Sequence, residues 1–507
     1  MLRVLRSSGF FAAALFALAT YLLHSWVPIH NGDVAEYTLT TLAIANHGTP
    51  DIRPSDIEDG RRRLPELAPL YANLERDMNS QSGELNMPFA RGLGGRVYAI
   101  HFFAYSALAA VPFKLLPLAG IDPFKCYLAV NLACIAMLGL ALRRLLGDNL
   151  KAVCALGLFL GAGVWWYLRW SSPEVMSAAA LLSALILFCT GAPLRAGLLA
   201  SIGAMQNPSI VLAFGFMPLL RLALRHTPGQ PWRARLADAV QGWRGAAGMA
   251  AGTLLALSAP LWNQIQFGTP SIIGKIFTRS YLFTWARLHS LFFDLSQGML
   301  IGIPAIAALL LAWGWAGRRD GGGAAWRLLG ACAAMTLALV LPALPVINWN
   351  SGAQGIMRYA VWAAMPLLFA LVWQMHGRRG WRWLVPVLVV LGLQAGVTRA
   401  LGAFRYVEFS PLAKRVMEHA PGLYNPDPEL FAERTTHVDE YFKEPEIYLY
   451  RYKGVVTKAL YHISNPGVAA ALCGPGSALA ADNALVDASR GWRYVNGPVK
   501  CVPAAPK

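Results

Sequence analysis

Long apolar blocks alternate with short polar intervals over roughly the first 400 residues. The first block, Gly9 to Val27, is about nineteen residues long, and roughly twenty suffice to cross a bilayer. Further blocks at about 124–142, 152–170, 175–190, 196–206, 209–224, 247–263, 298–316, 328–345, 359–376 and 383–401 each predict a spanning helix. After the first block comes a polar stretch, Asn31-Gly32-Asp33-Val34-Ala35-Glu36-Tyr37, continuing to Asn46-His47-Gly48-Thr49-Pro50. Asp33 to Ala45 predicts a helix, because Val34, Tyr37, Leu39, Leu42 and Ile44 are apolar. Asp33 stands at its N-cap and Glu36 at the capping-box position. Residues 51–96 form a polar loop of mixed charge, and Tyr98 to Leu116 is apolar but interrupted by His101, Pro112 and Lys114. That last segment reads as interfacial or re-entrant. From about Ala403 the pattern changes to charged residues, turn dipeptides and the alternation Ile447-Tyr448-Leu449-Tyr450-Arg451-Tyr452. This predicts a small α+β domain.

Composition excludes a soluble globular protein. The 507 residues are 56% hydrophobic and 14% charged, with a mean hydropathy of +0.43. A net charge of +17 would suggest nucleic acid in a soluble chain. Here the basic residues fall in short intervals between apolar blocks, so they read as topology signals, with membrane lipids and not nucleic acid as the surroundings. Arg3 and Arg6 precede the first block, and Ala17-Leu18-Ala19 within it resembles a cleavage site. Because apolarity continues through Leu23 to Val27, an uncleaved anchor is the better reading. Placing Arg143, Arg144, Lys151, Arg195, the Arg221–Arg244 interval, Arg318, Arg319, Arg327, Arg378, Arg379 and Arg382 in the cytoplasm gives eleven spans, with the C-terminus outside. Making 98–116 a full span and fusing 196–224 gives another topology, but puts Arg143, Arg144, Lys151 and Arg195 outside. The chain thus divides into a transmembrane domain, 1–402, with external loops at 28–97 and 264–297, and an extracytoplasmic domain, 403–507.

Polar chemistry concentrates on the outer side of the preferred topology. Asp33 and Glu36 are three residues apart, on one helix face. Such a pair either caps the helix, takes a proton from an attacking hydroxyl, or holds a divalent cation beside a phosphate. Glu174, in Ser171-Ser172-Pro173-Glu174, is a second acid that is either a cap or a catalytic group. His101 and His289 are the nearest histidines, each structural or assisting. Lys275, Arg279 and Arg287 lie on the outer side against the positive-inside rule, and bind either the phosphate of a lipid-linked substrate or anionic headgroups. Arg358 follows a Gly-containing stretch at the head of an apolar helix, a position that favours function. Cys126, Cys134, Cys154, Cys189 and Cys332 lie in or beside apolar blocks, leaving Cys473 and Cys501 to bridge in an oxidising compartment. There is no P-loop, CxxC, HExxH or internal repeat.

Gly32-Asp33-Val34-Ala35-Glu36-Tyr37, with Ala45-Asn46-His47-Gly48, resembles the first external loop of GT-C glycosyltransferases. That superfamily includes protein O-mannosyltransferases and the lipid A aminoarabinose transferase. Ile100-His101-Phe102-Phe103, Ser172-Pro173-Glu174-Val175, His289 to Gly298 and Gly352 to Tyr359 resemble further stretches of bacterial members, in order. The pattern departs in two places: Val34 separates the acids, and Phe102 and Phe103 replace the usual prolines. The resemblance implies an all-α polytopic GT-C-like membrane protein in a bacterial inner membrane. It would move a sugar from a polyprenyl-phosphate donor to an acceptor of unknown identity. Asp33 would be the general base, Glu174 would assist, and Arg358, with Lys275 and Arg279, would neutralise the leaving phosphate. A metal is optional in the superfamily, and none is assigned. A transporter or flippase of a lipid-linked saccharide, and a non-catalytic GT-C-like assembly protein, are the alternatives. Confinement of polar groups to one side counts against transport.

Overall fold

A computed structural model describes residues 7–30, 32–80, 84–225, 229–319, 323–347, 349–439 and 443–504. Arg3, Arg6, Asn31 and Asn348 lie outside the described residues, as do the side chains of Arg318 and Arg319. Among the described residues, seven helices are long and apolar enough to cross a membrane: Ser8–Ser25, Pro123–Leu146, Asn149–Tyr167, Gly242–Phe267, Ala324–Ala343, Arg358–Gly377 and Leu384–Leu401. Ala104–Ala119, Glu174–Cys189, Pro208–Leu224 and Pro304–Gly317 are apolar but shorter. Seven full-length helices is thus the coarser finding beside the eleven expected spans. One short stretch has a local cause. Asn207 leaves helical geometry between Pro193–Gln206 and Pro208, and its amide donates to Ser177 Oγ at 2.7 Å. The stretch from Tyr98, read as interfacial or re-entrant and not counted among the eleven, contributes the end of a strand, Val97–Ala99, before the helix Ala104–Leu115 begins.

The chain forms two compact units: residues 1–277, 305–339 and 362–392, and residues 278–304, 340–361 and 393–507. In the first, Glu174–Cys189 is buried along its whole length, as expected of a helix hydrophobic on every side. Next to it, Pro193–Gln206 packs on Gly242–Phe267 through glycines: a Cβ at Gly197 would overlap the Gly248 carbonyl, and one at Gly252 would meet Gly197. Small residues allow this approach of backbones, a common device where lipid supplies no hydrophobic drive.

The second unit holds a four-stranded antiparallel sheet, ordered Ile447–Tyr452, Val455–His462, Trp492–Asn496, Ala484–Asp487. The Tyr-rich alternation is therefore an edge strand. Phe409, Phe431, Tyr448 and Tyr494 fill a core between the sheet and the helices Pro411–His419 and Pro428–Thr436. Cys473 and Cys501 are joined by a disulfide. The unit also takes in residues 278–304 and 340–361, so it is wider than the C-terminal stretch alone. Buried ion pairs, described below, hold those segments to it.

The glycine contact makes a sharp prediction. Gly197→Ala should cost about 1–3 kcal/mol through overpacking and lower the melting temperature of the detergent-solubilised protein. Gly215→Ala, where nothing lies within 4 Å of the added carbon, should be neutral or stabilising by up to about 1 kcal/mol. Equal melting of the two variants would contradict the packing.

Candidate functional site

The polar stretch after the first apolar block folds into the helix Val34–His47. Asp33 occupies the N-cap position, but its side chain makes no capping hydrogen bond. Glu36, expected to close a capping box, instead turns inward and is only 2% exposed. Its partner comes from another part of the chain. A hairpin of Phe89–Arg91 and Val97–Ala99, tied down where Ile52 N–H donates to Val97 O at 2.7 Å, leads into the turn that carries His101. There His101 Nδ1 lies 2.8 Å from Glu36 Oε2, and the His101 backbone N–H points at the same oxygen from 3.4 Å. The helix Ala104–Leu115 follows, and Ser106 Oγ donates to Tyr37 O at 3.2 Å. That contact ties it to the Glu36 helix.

Asp33 completes the group. Its Oδ2 lies 3.9 Å from His101 Nε2, with side chains 22% and 16% exposed respectively. Among the described residues, Asp33, Glu36 and His101 form the one cluster able to hold a metal ion, with ligand atoms all within 4.8 Å of one another. Burial pushes the Glu36 carboxyl up from its ordinary value, the charge and hydrogen bonds of His101 offset part of that, and Asp33 adds to the rise. In the tautomer whose Nδ1–H donates to Glu36, Nε2 carries the lone pair, on the side of Asp33. Two carboxylates and an imidazole make a donor set that suits a divalent cation, and the Glu36–His101 bond is the contact that commonly orients a ligating histidine. The same set, without metal, offers a base at Asp33 and a hydrogen-bond partner beside it.

Aromatic rings back the cluster. Tyr37 lies 5.7 Å from the His101 ring and 5.6 Å from Tyr105, centroid to centroid. Tyr98, Phe103, Trp262 and Phe267 pack edge to face on the other side of the turn. These rings were not singled out as site residues in the sequence. Tyr98 and Phe103, flanking His101, were the available signal.

Glu174 belongs to the same end of this unit. Ile29, four residues before Asp33, forms a parallel bridge with Trp170, with Ile29 N–H donating to Arg169 O at 2.7 Å. Asn131 Nδ2 donates to the carbonyls of Leu168 and Trp170 at 3.2 and 3.4 Å, and fixes the turn from below. Glu174, the first residue of its helix, is 1% exposed and within electrostatic reach of Tyr105. Ser171 and Ser172 are also buried, and their hydroxyls find no hydrogen-bond partner among the described residues. Lys275 is exposed on the short helix Ile272–Ile276 of this unit.

The other sequence candidates lie in the second unit. Arg287 is fully buried: it donates to Leu344 O at 2.6 Å and Val346 O at 2.8 Å, pairs with Glu429, and stacks on Trp349. Asp294, which was not a candidate, is the hub beside it. It accepts the backbone N–H groups of Ser296 and Gln297, the Tyr424 hydroxyl at 2.7 Å and Arg434 at 2.8 Å. Burial acts to raise its carboxyl, yet Arg434 and these donors outweigh burial and hold it below the ordinary range. Glu433, four residues from Glu429, is driven well above the usual carboxylate range by burial and by the Glu429 charge, while Asn350 donates to it at 2.5 Å. The stretch His289–Gly298 is therefore the structural centre of this unit. His289 and Arg279 are exposed, and Arg358 is half-buried against Tyr359.

Comparison of the chain with protein-family models, with curated proteins and with solved structures gives no match.

Arg287→Met should leave Glu429 buried without its cation, a loss of about 3–5 kcal/mol. Thermal melting in detergent should show a large drop, whereas Lys275→Gln and Arg279→Gln, both exposed, should stay within about 0.5 kcal/mol of wild type. An Arg287→Met protein that melts like wild type would remove the ion pair from the account.

Proposed function

We propose that the chain is an integral-membrane glycosyltransferase that moves a sugar from a polyprenyl-phosphate donor to an acceptor at the outer face of the membrane. The single observation that carries this reading is the convergence of Asp33, Glu36 and His101 from two separate segments, immediately after the first membrane-length helix. Supporting it is Glu174, anchored to the same segment through the Ile29–Trp170 bridge. On this reading Glu174–Cys189, Pro193–Gln206, Pro208–Leu224 and Pro304–Gly317 complete an eleven-span, GT-C-like domain, Ala104–Ala119 does not cross, and the sheet region is extracytoplasmic.

In the reaction, an acceptor hydroxyl attacks the anomeric carbon, the bond to the lipid phosphate breaks, and configuration inverts. Asp33, the more exposed acid, takes the hydroxyl proton. Glu36 holds His101 through Nδ1, so that Nε2 stays directed at Asp33 and the reacting oxygen. A divalent cation held by Asp33 and His101 would supply charge stabilisation for the phosphate. The phosphate leaves as an anion, and Lys275, in the same unit as Asp33, is the cationic group assigned to neutralise it. Glu174, buried near Tyr105, is assigned to the acceptor side.

The N-cap geometry makes Asp33→Asn a clean test. No capping bond is lost, and Asn occupies N-caps as well as Asp does, so stability should stay near that of wild type. Loss of a general base removes about 100- to 10,000-fold in rate. Purified protein incubated with a panel of polyprenyl-phosphate sugars should release polyprenyl phosphate, and Asp33→Asn should abolish at least about 100-fold of that release. A folded Asp33→Asn protein with near-normal release counts against the base. No release by wild type from any donor counts against the reaction.

A further inference from the structure

The interval Arg221–Arg244 has no part in the proposed reaction, yet it is built as a surface. The helix Trp232–Val240 runs into Gln241 and Gly242, both with positive φ (63° and 64°), and the chain then enters the candidate span Gly242–Phe267. Gln241 is one of few non-glycine residues in this strained region. The turn brings the short helix back against the first turns of the span: any Cβ at Gly245 would overlap the Val240 carbonyl. A shallow cleft of about 500 Å³ opens between them, and Trp232, Arg233, Leu236, Val240, Trp243 and Ala246 are among its lining residues.

Two features of this face conflict unless something covers it. Trp232 is 67% exposed, Trp243 76% and Leu236 51%, a dense apolar patch. Against it stand cations: Arg233 lies over the Trp232 ring at 5.6 Å and Arg244 over the Trp243 ring at 5.6 Å. The one acid in the interval, Asp238, is already taken by Arg221 at 3.1 Å, with Arg225 at 3.6 Å. Arg233 and Arg244 are therefore left with no carboxylate within the interval. Trp243 is the second residue of a candidate span, which sets the face at headgroup depth, where Trp rings and snorkelling arginines favour the interface.

We propose that this face binds an anionic phospholipid of the surrounding bilayer, its phosphate held by Arg233 and Arg244 and an acyl chain in the cleft that Trp232, Leu236 and Trp243 line. An occupant needs an anionic head and an apolar tail at one depth, and a membrane lipid has both. The guanidinium groups stacked on indole faces are pre-positioned, which reduces the freedom lost on binding a phosphate. Nothing in this proposal rests on the glycosyltransferase reading.

The test uses the full chain, delipidated in micelles and titrated with phosphatidylglycerol or phosphatidylcholine of the same acyl chains, with bound lipid counted by native mass spectrometry. The first phosphatidylglycerol should bind about tenfold or more tighter than phosphatidylcholine, since each surface arginine favours an anionic lipid. Arg233→Gln/Arg244→Gln should erase that preference, Arg233→Lys/Arg244→Lys should keep most of it, and Arg451→Gln/Lys453→Gln, an equal loss of charge in the sheet region, should leave it unchanged. Equal binding of the two lipids by wild type overturns the proposal, as does a preference that survives the double Gln change. Binding of a poly-glutamate peptide in place of any lipid preference also overturns it, and assigns the face to an acidic protein.

Discussion

A carboxylate cannot be buried alone at low cost, and Glu36 is buried. Desolvation of an ionised acid is expensive unless a donor or cation meets it. The fold supplies His101 from 65 residues along the chain, through both its ring and its backbone N–H. Everything at the site follows from that bond. The hairpin before His101 and the helix after it are placed so that the imidazole reaches Glu36. Once Nδ1 is committed inward, Nε2 is turned towards Asp33. The more exposed acid keeps access to solvent, while the buried one holds the histidine beside it.

This division of labour was only half visible in the sequence. The polar stretch after Val27 stood out because it interrupts strong apolar patterning, and Asp33 and Glu36 at a three-residue spacing predicted one helix face. That much the structure bears out in the helix Val34–His47. Spacing also favoured a capping box, and there local rules misled. A carboxylate at the third helical position can reach back to the cap or inward to a distant partner, and only tertiary structure decides between them. His101 was a candidate by its place in an apolar stretch, but nothing local told which acid it would meet.

The second unit shows the same limit more strongly. Arg287 was read as a ligand of a lipid-linked substrate's phosphate or of anionic headgroups, because a cation expected on the outer side of a membrane needs a reason. The reason present in the structure is Glu429, 142 residues away, together with two backbone carbonyls. Asp294, an unremarked acid within His289–Gly298, joins Tyr424 and Arg434 across similar distances. Buried ion pairs of this kind have no periodicity and no fixed spacing, so sequence pattern cannot announce them. Helices were the readable part: each apolar block became helical, and the blocks 196–206 and 209–224 are divided at Asn207, where the helix Pro193–Gln206 ends.

The site depends on how the His101 ring is held. Nitrogen-15 NMR of the full-length protein with labelled histidine, assigned by the loss of one ring's signals in His101→Gln, reads both ring nitrogens directly. The account predicts a hydrogen-bonded Nδ1–H that shifts in Glu36→Gln, and an Nε2 resonance that shifts in Asp33→Asn. A ring whose Nε2–H faces Glu36, or whose nitrogens ignore both substitutions, would contradict it.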